Sequence, residues 1–316
     1  MVIPTFNRSL LLMRALESVF AQTCGDDEII VVDDGSTDDT AERLKPYLDR
    51  IRYVFQPNKG ASGAQNRGIA LARGDWIAIL ASDDTWLPRY LEAQAEAIDQ
   101  FGSQIGACFS DCRLVGETNC VASVFRRAGL ETQARVELLE DPLTFVLARH
   151  ASLFVQGAVI RRALLSGDHL FDTRLVVAED TDLLFRLALA TKFCVIDEVL
   201  IEVDVSPSRA DRLSRKFQRP TQTMFQSRSI AHDKWLAYLN EGDRSLERQR
   251  VVDLQESNLQ EWLIHNIKHG RIPGFVSVIK EMTARGYSLK TVATAVFSRA
   301  LGRIRKALGI AQPGRA

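Results

Sequence analysis

Three pairs of adjacent acids stand out in this 316-residue chain: Asp33-Asp34, Asp83-Asp84 and Glu179-Asp180. The first two follow apolar runs, Glu28-Ile-Ile-Val-Val-Asp33 and Trp76-Ile-Ala-Ile-Leu80. Hard divalent cations take carboxylate oxygens as ligands. Adjacent side chains point in different directions, so one acid of a pair can meet a metal while its neighbour meets a hydroxyl. Aspartate is also a common turn former, and either pair taken alone reads more readily as an exposed strand-ending turn, with Ser36 after Asp33-Asp34 capping the helix that follows. Two such turns at one sheet edge would gather four acids that repel one another unless a cation or hydrogen-bond donors are present. A metal or a hydroxyl-rich ligand accounts for that arrangement. Asp180 has a second chemistry open to it, because a carboxylate within hydrogen-bond reach can take the proton of an attacking alcohol. Glu179 and Asp180 also open a helix predicted to run to Ala190, where acids favour the positive end of the dipole.

The elements that must position these acids are legible in the periodicity. Val2–Ile3 reads as the end of a first strand closed by Pro4. Ser9 to Gln22 has helical spacing behind a Ser9 N-cap, and 28–33 is a β-branched run of the kind buried on both faces of a sheet. Helix, strand, helix and strand follow at 38–48, 51–55, 61–72 and 76–80, then a helix at 88–101 and a strand at 105–112. This alternation predicts βαβ units in an α/β fold with a mostly parallel sheet. Ligands bind beyond the carboxyl ends of such strands. The polar clusters Thr5-Phe6-Asn7, Asp33-Asp34-Gly35-Ser36 and Ser82-Asp83-Asp84 all lie there. After Ser206-Pro207-Ser208 the chain turns helix-rich, with segments at 224–239, 246–269, 273–285 and 289–308. Two domains are expected, 1–205 and a helical 206–316.

Composition narrows the classes. Forty basic and forty acidic residues balance, so no global field draws the chain to nucleic acid. Five scattered cysteines with no C-x-x-C pair read as reduced thiols in a cytosolic protein, and no signal peptide or membrane span is predicted.

Val2-Ile-Pro-Thr-Phe-Asn-Arg8, Val31-Val-Asp-Asp-Gly-Ser-Thr-Asp38, Asn58-Lys-Gly60 with Gln65-Asn-Arg-Gly68, Gly74-Asp-Trp-Ile-Ala-Ile-Leu-Ala-Ser-Asp-Asp84 and Glu179-Asp-x-Asp182-Leu183 with Arg186 occur in order. Together they resemble the family-two glycosyltransferases of the GT-A fold, a Rossmann-like nucleotide-diphospho-sugar transferase architecture, over residues 2 to 205. The resemblance implies an inverting transfer from a nucleotide-sugar donor, UDP-linked in the commonest case, to a glycan or lipid-linked acceptor, aided by Mg²⁺ or Mn²⁺, in bacterial cell-surface polysaccharide or lipopolysaccharide assembly. It also implies roles by position. Pro4, Thr5 and Asn7 line the donor pocket, Asp34 contacts the base, Asn66 and Arg67 lie near the donor, Asp83 meets the ribose and Asp84 the metal. Asp180, beside Glu179, is the general base. Ala81 stands where many relatives have a further Asp. Residues 202–208 lack the Arg or His that many relatives place near the diphosphate, leaving Arg209, Arg212 or Arg215 for that task. A nucleotidyltransferase and a catalytically silent nucleotide-sugar-binding module are the rival readings. The first lacks a phosphate-cradling Gly-rich loop here, and the retained Asp84 and Asp180 weigh against the second.

Other residues carry blander expectations. Trp86 is either a stacking platform for a sugar or base or a core residue. Trp235 and Trp262 are core, and His265 and His269, at i and i+4, are a packed or solvated pair. The basic, amphipathic stretch 297–308 is a helix that either docks on the protein or rests on an anionic membrane, which would make the protein cytoplasmic or peripheral at the inner face of the membrane.

Overall fold

The computed structural model describes residues 1–23, 28–117, 120–149, 153–206, 221–239 and 244–287. The chain divides into two compact units, Met1–Arg215 and Lys216–Ala316. The first unit runs β1 (Val2–Thr5), α1 (Ser9–Phe20), β2 (Ile30–Asp33), α2 (Thr40–Leu44), β3 (Arg52–Phe55), α3 (Gly60–Leu71), β4 (Trp76–Ala78), β5 (Thr85–Trp86), α4 (Tyr90–Phe101) and β6 (Ile105–Val115). It continues with α5 (Val124–Arg127), β7 (Val136–Leu139), α6 (Pro142–Arg149), β8 (Ala158–Arg161), α7 (Glu179–Ala190) and β9 (Lys192–Asp204).

Strands β1, β2 and β3 pair in parallel, with Thr5 opposite Asp33 and Asp33 opposite Phe55. A parallel bridge from Val2 to Ile79 carries the order on toward β4. Beyond β4 the pairing becomes mixed. β8 lies antiparallel between β4 and β6, β6 runs parallel to the long β9, and β5 and β7 pair antiparallel with β9. The parallel character inferred from the βαβ rhythm therefore belongs to the N-terminal strands. The two-residue β5 and the four-residue β7 and β8 are too brief for a periodic signal, and the 136–204 region also adds the 13-residue β9.

The local deviations have physical causes. β1 continues through Pro4 to Thr5. Asp34 N–H donates to the Thr5 carbonyl on the β2 side, while Pro4, one residue earlier, faces the side where pairing toward β4 has already ended, so its missing N–H costs no ladder bond. Ser9 is not the N-cap of α1. Its own N–H is the orphan, and the Asp38 carboxylate from the β2 loop accepts it at 3.1 Å. Ser36 does not cap α2 either; its hydroxyl accepts from Asn7 N–H at 2.9 Å, while Asp38 Oδ1 takes the Thr40 N–H at 3.1 Å. The core of this unit joins Ile3, Leu12, Leu16, Val31, Leu80, Trp86, Tyr90 and Ile201. Gly68 lets α3 lie directly on β1, since a Cβ there would sit 2.2 Å from Val2 Cγ1.

The second unit holds α8 (Gln222–Tyr238), α9 (Ser245–Lys268) and α10 (Ile272–Ala284). Trp235 and Trp262 are buried there, the latter stacked on Phe225. Asn258 Nδ2 donates to the Phe225 carbonyl at 3.0 Å and so ties α9 to α8. Among the described residues no helix is long and apolar enough to cross a membrane. The stretch 297–308, with Arg209, Arg212 and Arg215, lies outside the described residues.

Candidate active site

Each acid of the two strand-end pairs is held by a donor that the protein itself provides. Asp33 is buried at the end of β2; its Oδ1 accepts the Ser36 N–H at 2.8 Å and its Oδ2 the Tyr53 hydroxyl at 2.8 Å. Burial, reinforced by the bond to Asp33, pushes the Tyr53 hydroxyl up, which keeps it a donor. Asp34 is equally buried, and Gln56 Nε2 at 2.7 Å and Lys59 N–H at 2.8 Å both converge on its Oδ1. Asp83 pairs with Arg8 at 3.2 Å. Asp84, 3% exposed, accepts the backbone N–H of Asp204 at 3.2 Å and turns back to the Ala81 carbonyl through its own N–H. The repulsion that four gathered acids would suffer is thus relieved by hydrogen bonds and one arginine.

These same bonds draw three loops together. Asn7 adopts φ +51, a left-handed conformation that Asn tolerates better than most residues. From there its side-chain carbonyl accepts the Thr37 N–H at 2.7 Å and the Asp38 N–H at 3.3 Å. The loop after β1 is thereby stapled to the loop after β2, and Arg8 ties it to the Asp83 turn. The bonds made by Asn7 are positioning ones. Pro4 pairs opposite Val32, and Thr5 is buried with its Oγ1 lacking a hydrogen-bond partner.

Asn66 is occupied as well. Its Nδ2 donates to the Phe171 carbonyl at 2.8 Å and its Oδ1 accepts the Phe171 N–H at 2.9 Å. This two-pronged strap fastens α3 to the segment leading into α7. Arg186 completes the frame. Fully buried, it pairs with Asp182 at 2.6 Å and donates to the carbonyls of Asp168 and Leu170. Arg67 is exposed on α3. Trp86, offered by the sequence as a platform or as core, is core: 2% exposed, stacked on Tyr90 at 4.1 Å and donating to the Gln156 carbonyl.

Glu179 and Asp180 sit at the start of α7, after Ala178 at φ +65, a backbone state that is strained for alanine. Asp180 Oδ1 accepts the N–H of its neighbour Thr181 at 2.7 Å. Glu179 is pushed up to about 8, first by burial and then by the Asp180 charge, so at neutral pH it holds its proton beside that charge.

Asp204 is the residue that sequence reasoning passed over. It is buried at the end of β9 and its N–H reaches Asp84 across 120 positions; the only signal was its place in the segment 202–208. Among the described residues no cluster of three or more His, Cys, Asp or Glu could hold a metal. The residues present could offer a divalent ion one or two carboxylates, Asp84 and Asp204, whose N–H donates to Asp84, with the rest of its shell coming from substrate phosphates; the Asp204 carboxylate itself accepts the Ser206 N–H at 2.8 Å. Asp111 lines a cavity of about 330 Å³ with Ala122, Ser123, Arg126, Asp197 and Val199. Its buried carboxylate accepts the N–H groups of Cys112, Val124 and Phe125. The Cys112 thiol is raised by burial and then by the charges of Asp111 and Asp84. His265 and His269 in the second unit form a ring pair at 4.3 Å.

A parallel β-edge carrying acids beyond its strands, joined to a mixed sheet and an acidic helix start, defines a GT-A glycosyltransferase. Residues 1–153, just under half of the chain, match the family model described as glycosyl transferase family 2, which identifies this N-terminal region as a family-two glycosyltransferase. It is 32% identical over 199 residues to the succinoglycan biosynthesis protein ExoO of Rhizobium meliloti, covering 62% of this chain and 57% of that one. It is 31% identical over 169 residues to a GalNAc(5)-diNAcBac-PP-undecaprenol beta-1,3-glucosyltransferase of Campylobacter jejuni, covering 52% of each. The chain thus spans little more than half the length of these two relatives. S. aureus TarS 1-349, solved with UDP-GlcNAc, aligns with a TM-score of 0.65 at 17% identity, covering 91% of this chain and 92% of that one. The mannosyltransferase PcManGT of Pyrobaculum calidifontis, solved with GDP-Man and Mn²⁺, aligns at 0.57 with 18% identity, covering 95% and 79%. These likenesses carry the fold.

Proposed function

We propose that this glycosyltransferase moves a sugar from a nucleotide-diphospho-sugar, UDP-linked, to a hydroxyl of a glycan or lipid-linked acceptor with inversion, in the assembly of a bacterial surface polysaccharide. The observation that carries the reading is the convergence of the loops after β1 and β2 with the Asp83-Asp84 turn, locked by Asn7 and by the Arg8–Asp83 pair. Two relatives named for succinoglycan biosynthesis and for glucosyl transfer to an undecaprenol-linked glycan support the setting, and neighbours solved with UDP-GlcNAc and GDP-Man support the donor class.

The roles follow from the chemistry of each group. Pro4 and Thr5 wall the base, Asp34 offers its Oδ2 to a base N–H, and Asp83 accepts from the ribose. Arg8, already beside Asp83, lies where a diphosphate charge would be offset, with Arg67 contributing from α3. Asn7 and Asn66 hold the loops and the α7 segment in place. Asp84 with Asp204 would hold Mg²⁺ or Mn²⁺, which would lend Lewis-acid stabilisation to the leaving diphosphate. Asp180 removes the acceptor proton as the oxygen attacks the anomeric carbon from the face opposite the diphosphate. Glu179, neutral next to it, adds no second charge to the site. The cavity at Asp111 and Arg126 gives the acceptor room.

The test is transfer across a panel of nucleotide-sugars with and without chelator, alongside Asp180→Asn. Retained donor binding with transfer abolished fits a general base. Joint loss of both assigns Asp180 a structural role and sinks the mechanism.

A further inference from the structure

The turn between α9 and α10 combines two features that soluble helical hairpins normally keep apart. Ile267, at the end of α9, is 46% exposed, and Ile272 and Val276 on α10 are 73% and 43% exposed. Ile272 and Val276 are four residues apart and share one face of α10, distinct from the buried face formed by Val278 and Met282. Between Glu261 and Glu281 every charged residue in the sequence is basic. From Trp262 to Lys280 the sequence contains no Asp or Glu, while it carries Lys268, Arg271 and Lys280 together with His265 and His269. Lys268 and Arg271 are exposed and make no ion pair among the described residues. The positive field is felt locally, since His265 is pushed down by burial and then by the charges of His269, Arg271 and Lys268.

The turn is a built structure. Gly270 closes α9 at φ +62, and Arg271 N–H donates to the Asn266 carbonyl at 2.9 Å. Asn266 is itself buried and donates to the Trp262 carbonyl at 3.0 Å. Gly274 packs so closely on it that a Cβ would stand 2.1 Å from Asn266 Oδ1. The exposed isoleucines are therefore presented on a fixed corner.

We infer that this corner docks on the surface of an anionic lipid bilayer, inserting Ile267, Ile272 and Val276 at the headgroup boundary while Lys268, Arg271 and Lys280 meet lipid phosphates. An exposed apolar turn whose own segment, between Glu261 and Glu281, carries cations and no acid matches a surface that offers hydrocarbon beneath negative charge. A protein partner or a second copy of this chain would need acids to meet these cations, and this segment brings none of its own to a self-association. The inference stands apart from the transfer reaction, so its failure leaves the proposed chemistry untouched.

The experiment is co-sedimentation of the full chain with vesicles of phosphatidylcholine alone or mixed with phosphatidylglycerol. Two variants accompany it, Ile272→Asp and the exposed charge reversal Lys268→Glu with Arg271→Glu, each checked for fold by circular dichroism. Binding is expected to the mixed vesicles, to weaken with salt, and to fall by roughly fivefold or more for each cation removed and likewise for Ile272→Asp. Undiminished binding by both variants, or none by the parent chain, overturns the inference. So does a concentration-dependent dimer in vesicle-free solution that Ile272→Asp dissolves, which would make this face a contact between copies.

Discussion

The two acidic regions of the first unit contain the same residue types and treat them differently. At the ends of β2 and β4 every carboxylate has a donor: Tyr53 and Ser36 for Asp33, Gln56 and Lys59 for Asp34, Arg8 for Asp83, and the Asp204 backbone for Asp84. At the start of α7, Glu179 is instead forced to keep its proton by burial and by the Asp180 charge. A satisfied carboxylate is fixed in geometry and suits binding. An acid that keeps its proton beside a second carboxylate suits proton transfer. If that contrast is functional, substitutions on the two sides will separate donor binding from the chemical step.

The largest effect should come from Asp180→Asn. Losing a general base costs about 10²- to 10⁴-fold in rate, so kcat for transfer should drop by that order while donor affinity, read by calorimetry, stays within a few-fold. Donor affinity falling in parallel would erase the contrast between the regions. Asp84→Ala should follow, with transfer reduced by roughly 100-fold and no longer rising with added Mn²⁺, since metal stabilisation of a leaving group contributes several kcal/mol. A variant that keeps its full metal response would remove Asp84 from the metal-binding side.

The contrast also marks what could be read without a structure. The run at 29–32 is continuously apolar and β-branched and is buried throughout, so it and its acidic end were plain, and the apolar run at 76–80 was legible as well. The chemical types at 33–34, 83–84 and 179–180 were equally visible. Their partners were not. Nothing local in Asn7 or Asn66 says whether the amide faces a ligand or a backbone; the structure turns Asn7 to Thr37 and Asn66 to Phe171, 105 positions away. Asp204 meets Asp84 only because β5 pairs with the far end of β9, a long-range pairing that two-residue β5 cannot announce. Strands β7 and β8 escaped for the same reason, being held by their neighbours in the mixed sheet more than by their own pattern.

Asn66→Ala sharpens the comparison at intermediate size. It removes both bonds to the Phe171 backbone and leaves that buried residue's polar groups without protein partners, which costs about 1–3 kcal/mol. The melting temperature should fall and kcat with it, because the segment leading to Glu179-Asp180 loses its strap, while the donor Kd should hold. Unchanged stability with weakened donor binding would move Asn66 back to a direct donor contact.

The smallest effect tests Glu179 by its pH signature. Its folded titration lies near 8 against an ordinary value of 4.5. An acid raised on folding contributes stability that is fully present below 4.5. That contribution is lost progressively as pH rises from there through about 8, because the unfolded chain releases the proton first. Glu179→Gln cannot titrate. The difference in melting temperature between the variant and the parent should therefore grow in favour of the variant across that window and level off above it. Transfer at neutral pH should change little, since a neutral amide replaces an acid that is already neutral there. A stability difference that stays flat from pH 5 to 9 would mean that Glu179 is ionised in the folded protein, and the two acidic regions would then differ only in their partners.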